Sequence, residues 1–278
     1  MNNIVTQIHQ CLKNYYPYPE VRNLSRWICC EIFGQSSVDY YLDKDIVLSG
    51  KDRLILEDIL LRLCKFEPIQ YIQGVGRFCG CSFNVARGVL VPRPETEELV
   101  ELMQKEIKPN SRILDVGTGS GCIAITLAKN LPDSDVTAWD ISADALAIAK
   151  SNSDKFQVRI KFGQHDILNG FPVSDKLYDV IVSNPPYVMD KEANSMEPNV
   201  LNWEPREALF VPDNDPLLFY RKISIMALTQ LKEGGLLYFE INREFGLHIS
   251  EMLTAMGFHN VRLLKDISGN NRFIVAVR

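Results

Sequence analysis

The chain has 278 residues, 46% apolar and 23% charged, a composition that excludes bulk disorder and, at roughly 150 residues per domain, sets an expectation near two domains. Thirty basic and 35 acidic side chains leave a net charge of −5, so no global field draws the chain to nucleic acid or anionic lipid. The longest apolar runs, such as residues 123–128, fall far short of the roughly 20 residues that span a bilayer, and the start lacks the basic and apolar regions of a secretory leader; a cytoplasmic protein off the membrane is expected.

In chain order, residues 1–73 read as helices. Ile4, Ile8, Cys11 and Leu12 recur at helical spacing, as do Leu24, Trp27, Ile28 and Ile32, then Leu56, Ile59, Leu60 and Leu63. Breaks fall at residues 17–19, 34–37 and 49–50. Eight basic and nine acidic residues up to position 72 give mixed exposed faces, and a bundle of short helices is expected. From Gly74 the texture turns to glycines and β-formers. Residues 78–85 and 88–91 flank Ala86-Arg87, which predicts a β-hairpin over 74–91 joining two domains.

Residues 92–278 form the second domain. Pro92-Arg-Pro-Glu-Thr-Glu97 opens a helix reaching Met103, and strand-like runs at 112–115, 136–139, 159–162, 180–182 and 236–240 alternate with helical stretches before a final strand at 272–277. That alternation predicts an α/β fold with a mostly parallel sheet. Seven cysteines without a Cys-x-x-Cys pair and four scattered histidines predict reduced thiols and no metal site.

Asp115-Val-Gly-Thr-Gly-Ser-Gly121 follows the first strand of this domain and precedes a helix near Cys122. Glycines 117, 119 and 121 permit a tight turn and a close ligand. Their spacing is one residue short of the dinucleotide fingerprint, and no Walker lysine follows. S-adenosylmethionine fits better, with its amino-acid end and ribose across the turn and Asp140, at the end of the second strand, accepting from the ribose hydroxyls. Asp166, after the third strand, can accept from the adenine amino group. A bare strand-to-helix corner and a capping aspartate are common. Three such features at the carboxyl ends of three successive strands are where open α/β sheets place ligands.

The sharpest motif is Ser183-Asn-Pro-Pro-Tyr187 at the end of a strand. Two prolines have no N–H to donate and stiffen the turn. A planar NH₂ substrate fits, its hydrogens accepted by the Asn184 side-chain oxygen and the Pro185 carbonyl while the Tyr187 ring packs on its plane. Held so, an amide or exocyclic amine aims its lone pair at a methyl carbon, and orientation with electrostatics supplies the catalysis.

With Pro68-Ile-Gln-Tyr-Ile-Gln-Gly74, Val91-Pro-Arg-Pro-Glu-Thr-Glu97, the glycine turn, Asp140-Ile-Ser142, Ser183-Asn-Pro-Pro-Tyr187, Glu204-Pro205, Ala208-Leu209, Asp266, Gly269 and Arg272, the chain resembles the release-factor glutamine methyltransferase family. The resemblance covers nearly all of residues 68–278. It implies a Rossmann-like class I S-adenosylmethionine-dependent methyltransferase domain preceded by a small all-α, substrate-binding domain and a β-hairpin. It implies methyl transfer to the glutamine side-chain nitrogen in the Gly-Gly-Gln motif of class I peptide chain release factors, with S-adenosyl-L-homocysteine as product. Carried over by position, cofactor contacts fall on Gly117, Thr118, Gly119, Ser120, Gly121, Asp140 and Asn184; Asp166 and Ile167, after the third strand, are added as expected cofactor contacts. Glutamine contacts fall on Asn184, Pro185, Pro186 and Tyr187, with Asn184, Pro185 and Tyr187 catalytic. The chain departs from the family at Ile167, where tryptophan is frequent, and at Asn242 and Phe245, where glycine and glutamine are usual. A monomer without direct nucleic-acid binding is expected.

Two other readings use the same residues. A nucleic-acid adenine methyltransferase can present a flipped base to the same turn, but it calls for a basic cleft that the nearly neutral helical segment and acidic balance do not offer. A cofactor-binding interaction protein without turnover has no use for an intact Asn184 and Tyr187.

Overall fold

In the computed structural model, which describes residues 3–172 and 176–278, the helical spacing of the first 74 residues becomes α1 (Asn3–Leu12), α2 (Tyr18–Trp27), α3 (Ser37–Tyr41), α4 (Gly50–Leu63) and α5 (Ile69–Gln73). A five-residue π-helical turn, Ile28–Ile32, extends α2. The breaks have physical causes. Pro19 lies in the first turn of α2, where no backbone donor is required. Ser49 and Asp52 form a reciprocal cap that starts α4. The apolar stripes meet in a core that includes Ile8, Leu12, Ile28, Leu56 and Leu63.

The next elements belong to a second unit, Val75–Met196 with Glu204–Arg278. Its hairpin pairs β1 (Val75–Phe78) with β2 (Cys81–Asn84) in antiparallel register, Val75 opposite Asn84 and Phe78 opposite Cys81. This corrects the expected turn at Ala86-Arg87. The turn is Cys79-Gly80, both at positive φ (46° and 71°), the two-residue geometry that matches the twist of paired strands. Val89 and Val91 are buried side chains outside any strand. The hairpin packs Phe78 and Phe83 into the core of the second unit, so it is part of that unit rather than a separate linker.

There follow α6 (Pro94–Glu106), β3 (Arg112–Val116), α7 (Cys122–Asn130), β4 (Asp135–Asp140), α8 (Ala143–Phe156), β5 (Ile160–Gln164), β6 (Tyr178–Ser183) and β7 (Val188–Met189). The chain then contributes α9 (Pro198–Leu201) to the first unit, which includes Glu197–Trp203. Trp203 Nε1 donates to the Lys65 carbonyl at 3.0 Å within that unit. The expected 92–278 domain therefore gives up residues 197–203 to the helical unit. The second unit resumes with α10 (Arg206–Leu209), β8 (Phe210–Val211), α11 (Leu218–Gln230), β9 (Leu231–Glu240), α12 (Gly246–Ala255), β10 (His259–Lys265) and β11 (Asn271–Val277).

Seven strands form one sheet in the order β10-β11-β9-β6-β3-β4-β5. The five from β9 to β5 are mutually parallel, and β11 runs against both its neighbours. Alternation along the buried strands sends Ile113, Val180 and Tyr238 to the face that carries α6 and α7, and Leu114, Ile181 and Phe239 to the face that carries α11 and α12. The strand order reverses at β3, where β4 lies on one side and β6 on the other. A crevice opens at such a reversal, beyond the carboxyl ends of the strands.

Candidate active site at the carboxyl ends of the central strands

Beyond Val116 the backbone turns through Gly117 (φ 77°), Gly119 (φ 55°) and Gly121 (φ 82°), a conformation that L side chains rarely adopt. The three glycines differ in purpose. A Cβ on Gly117 or Gly119 would meet nothing within 4 Å, and both residues border a cavity of about 310 Å³. A Cβ on Gly121 would lie 2.9 Å from Ile125 Cδ1 and 3.2 Å from Ala149 Cβ, so that glycine serves the packing of α7 on α8. The turn is held from β4: the Gly117 and Thr118 amides donate to the Trp139 carbonyl at 2.8 and 2.9 Å.

Asp140 closes this corner. Its Oδ2 accepts from the Gly119 amide at 2.8 Å and its Oδ1 from the Ser142 amide at 2.9 Å. Burial pushes its carboxyl above the usual carboxylate range, against the pull of those amides. Ser142 itself caps α8 by accepting from the Ala145 amide, which relieves Asp140 of that duty. Asp115, near the end of β3, is fully buried. It accepts from the Thr118 hydroxyl at 2.6 Å, its Oδ1 has no partner, and burial pushes its carboxyl up to about 7.

After β5, Asp166 accepts from the Leu168 amide at 2.9 Å and from Asn169 Nδ2 at 2.6 Å. It organises its own turn while standing on the cavity wall beside Ile167. Of the residues singled out from sequence, Gly117, Thr118, Gly119, Ser120, Asp140, Asp166, Ile167, Asn184, Pro185 and Pro186 border this one cavity; Gly121 and Tyr187 do not. Apolar surface from Leu90, Trp139 and Phe219 completes the wall, the mixture expected of a small-molecule site.

At the end of β6 the Ser183 hydroxyl donates to the Val116 carbonyl at 2.6 Å, tying the proline turn to the glycine turn. Asn184 Nδ2 donates to Thr96 Oγ1 at 3.3 Å. The Thr96 hydroxyl lies 2.6 Å from Glu240 Oε2, and the Tyr187 hydroxyl donates to Glu240 Oε1 at 3.2 Å. Glu240 is 1% exposed at the end of β9, and burial raises its carboxyl pKa. Burial also raises the Tyr187 hydroxyl, with the nearby Glu240 charge adding to it, so the tyrosine stays a donor. The far end of the turn is held by Asn242, whose Nδ2 donates to the Tyr187 carbonyl at 3.2 Å and whose Oδ1 accepts from the Glu244 amide at 3.0 Å.

Thr96 and Glu240 were not picked out from the sequence as site residues. Nor were Arg93 and Glu204: Glu204, 5% exposed, accepts from Arg93 Nη2 at 2.6 Å and from the Val91 amide at 3.3 Å. One signal was present for two of the four. An acid that ends or interrupts an apolar stretch and is then buried must find a partner, and Glu204 and Glu240 both do.

The arrangement can hold an extended ligand across the glycine turn and present a second ligand to Asn184 at the same cavity. A family model described as methyltransferase small domain matches residues 94–202, and one described as PrmC N-terminal domain matches residues 3–74. The release factor glutamine methyltransferase of Bacteroides thetaiotaomicron is 50% identical over 278 residues, 100% of both chains. That of Flavobacterium psychrophilum is 46% identical over 280 residues, covering 99% of this chain and 98% of the relative. Among solved structures, a methyltransferase from Pyrococcus furiosus superposes with a TM-score of 0.54 at 17% identity, over 83% of this chain and 98% of that one. A 16S rRNA N2 G1207 methyltransferase from T. thermophilus, in complex with AdoMet and guanosine, gives 0.53 at 16% identity over 73% of this chain and 49% of that one. These two likenesses show the methyltransferase fold.

Proposed function

The chain belongs to the release factor glutamine methyltransferase family, and from that premise we propose that it transfers a methyl group from S-adenosyl-L-methionine to the side-chain amide nitrogen (N5) of glutamine in the Gly-Gly-Gln motif of class I peptide chain release factors. The observation that carries this reading is the orientation of Asn184. Its NH₂ is engaged by Thr96, which leaves Oδ1 as the free acceptor at a cavity shared with the glycine turn and Asp140.

The residues fit the cofactor. Gly117 and Gly119 leave open space where any side chain would intrude, and Asp140 uses one lone pair of each oxygen on backbone amides, keeping the others for ribose hydroxyls. Asp166 and Ile167 line the same cavity and would hold the adenine. When bound, the sulfonium supplies an electrophilic methyl carbon. An amide nitrogen is a poor nucleophile because its lone pair is delocalised. Asn184 Oδ1 and the Pro185 carbonyl accept its two hydrogens, which holds the nitrogen in line and favours the positive charge it gains on attack. No strong base is needed: the methyl–sulfur bond would break as the C–N bond forms, the thioether product keeping the electron pair, and the proton would then pass from the positively charged nitrogen to solvent. Pro185 and Pro186 cannot donate and so leave the acceptors uncontested; Tyr187 supports the turn from beneath through Glu240.

The helical unit serves as the contact for the protein substrate. It has no glycine turn or strand-end acid, and it exposes apolar side chains at Val38, Leu42, Val47, Leu54 and Leu61. No helix among the described residues is long and apolar enough to cross a membrane. A cytoplasmic monomer that does not bind nucleic acid directly completes the reading. The test is incubation with labelled methyl donor and unmethylated release factor, followed by peptide mapping. Label on the Gly-Gly-Gln glutamine is expected; label on adenine-containing DNA instead would overturn the assignment.

A further inference from the structure

An amide side chain has two ends of nearly equal size, and shape alone does not decide which one faces a cavity; the hydrogen bonds behind it do. Asn184 must offer oxygen, not NH₂, to a substrate amide. We propose that Thr96 and Glu240 are positioning residues that fix this choice, and the proposal rests on the reading of Asn184 as acceptor for the glutamine amide.

The Thr96 hydroxyl carries one hydrogen. It lies 2.6 Å from Glu240 Oε2, while Asn184 Nδ2 lies 3.3 Å from the same hydroxyl oxygen. An ionised carboxylate only accepts, so the hydrogen of Thr96 is committed to Glu240 and its oxygen can only accept from Asn184. The NH₂ end is thereby drawn inward and Oδ1 is turned to the cavity. The flipped amide would set two oxygens without a hydrogen between them and would aim N–H groups at the N–H groups of glutamine.

The charge on Glu240 is therefore the origin of the polarity. It is supported by the Tyr187 hydroxyl at 3.2 Å and by the Arg272 guanidinium, itself anchored to Asp266 Oδ2 at 3.1 Å. The Tyr220 hydroxyl donates to the main-chain carbonyl of Glu240 at 3.4 Å and accepts from the Asn242 amide at 3.3 Å, so it makes no hydrogen bond to the carboxylate. Glu95 on α6 opposes the charge, and burial raises the carboxyl pKa. Protonated Glu240 would donate to Thr96, release the threonine hydrogen toward Asn184 and reverse the amide.

The experiment uses the full chain with Thr96→Val, Thr96→Ser and Glu240→Gln. It measures kcat and KM on unmethylated release factor, cofactor affinity by calorimetry, and hydrogen exchange of the Asn184 side-chain NH₂ by NMR, its resonance assigned through Asn184→Asp. Thr96→Val and Glu240→Gln should each lower kcat about 10²-fold, the cost of a misdirected reacting group, with cofactor affinity unchanged. Thr96→Ser should regain most of the rate. The acidic limb of the wild-type kcat profile should vanish in Glu240→Gln. The Asn184 NH₂ should be protected from exchange in wild type and Thr96→Ser and lose protection in Thr96→Val. A wild-type kcat in Thr96→Val, or no recovery in Thr96→Ser, would overturn the proposal. Should Thr96→Val not fold, Glu240→Gln decides through its rate and pH profile. If the wild-type protein fails to methylate release factor, the functional reading falls while exchange at Asn184 still decides the relay.

Discussion

In the proposed reaction Asn184 acts through aim rather than proton removal, and that distinction can be measured. Asn184→Ala removes an acceptor preorganised for the reacting NH₂, and kcat should fall about 10²–10³-fold, as when one such hydrogen bond is lost. Asn184→Asp keeps an acceptor and adds charge; partial activity is expected, whereas rates at or above wild type with a new acidic limb would assign a base role to this position. Asp140→Ala should weaken cofactor binding by about 1.5–3 kcal/mol per lost charge-assisted bond, read by calorimetry on a folded variant; unchanged affinity would remove Asp140 from the site. Asp115 reports on pH. Its folded pKa is raised to about 7 by burial, so its contribution to stability is full below the ordinary aspartate range and is lost as pH rises toward and through 7. The unfolding free energy of the wild type, read from urea titrations, should fall from pH 5 to about pH 7 by up to about 1.4 kcal/mol per pH unit and level off by pH 8. Asp115→Asn should flatten that dependence, and an equal slope in both proteins would refute the assignment. Asn184 and Asp140 were legible because each sits in a local motif. Thr96 and Glu240 were not, since Thr96 meets partners 88 and 144 residues away and carries no local mark of either contact.

At the scale of elements, periodicity locates the helices and the five parallel strands: burial on both faces writes apolar runs into the inner strands β3, β4, β6 and β9, and the edge strand β5 shows as Ile160 and Phe162 alternating with the exposed Lys161. It missed β10, an edge strand whose His259 and Asn260 are exposed, and it misplaced the hairpin turn, because the valines at 89 and 91 imitate a strand while Cys79-Gly80 lacks the usual Asn-Gly signature. The hairpin has a defined anchor. Asn152 on α8 is fully buried; its Oδ1 accepts from the Asn84 amide at 2.7 Å, and its Nδ2 donates to the Asn84 and Ser120 carbonyls at 3.0 and 2.9 Å. One side chain thus ties β2 to the glycine turn. Asn152→Ala strands three backbone groups at once, and a loss of about 1–3 kcal/mol or more is expected in chemical denaturation. Because Ser120 borders the cavity, cofactor affinity should fall with it. Full stability in Asn152→Ala would mean that water replaces these bonds without cost.

At the scale of the whole molecule, the sequence separated a helical segment from an α/β segment but could not show that Glu197–Trp203 belongs to the former. The segment meets that unit through contacts such as Trp203 with Lys65, 138 residues apart, and nothing in the composition of the segment announces them. In the proposed reading the two units divide the work: the candidate cofactor residues all lie in the second, and the first exposes apolar side chains. Leu54 and Leu61, 67% and 65% exposed, lie seven residues apart on α4 and so share one side of that helix. Exposed substitutions away from special features change stability by no more than about 0.5 kcal/mol, so Leu54→Glu with Leu61→Glu should leave the fold, the cofactor affinity and kcat unchanged. If this face meets the release factor, the pair should raise KM for the whole factor about tenfold or more, the effect of losing a contact worth about 1.4 kcal/mol. KM for a short Gly-Gly-Gln peptide, which reaches only the catalytic cavity, should not move. An unchanged KM for the whole factor would place the docking surface elsewhere, and an equal rise for peptide and factor would show that the substitutions act on the catalytic unit instead.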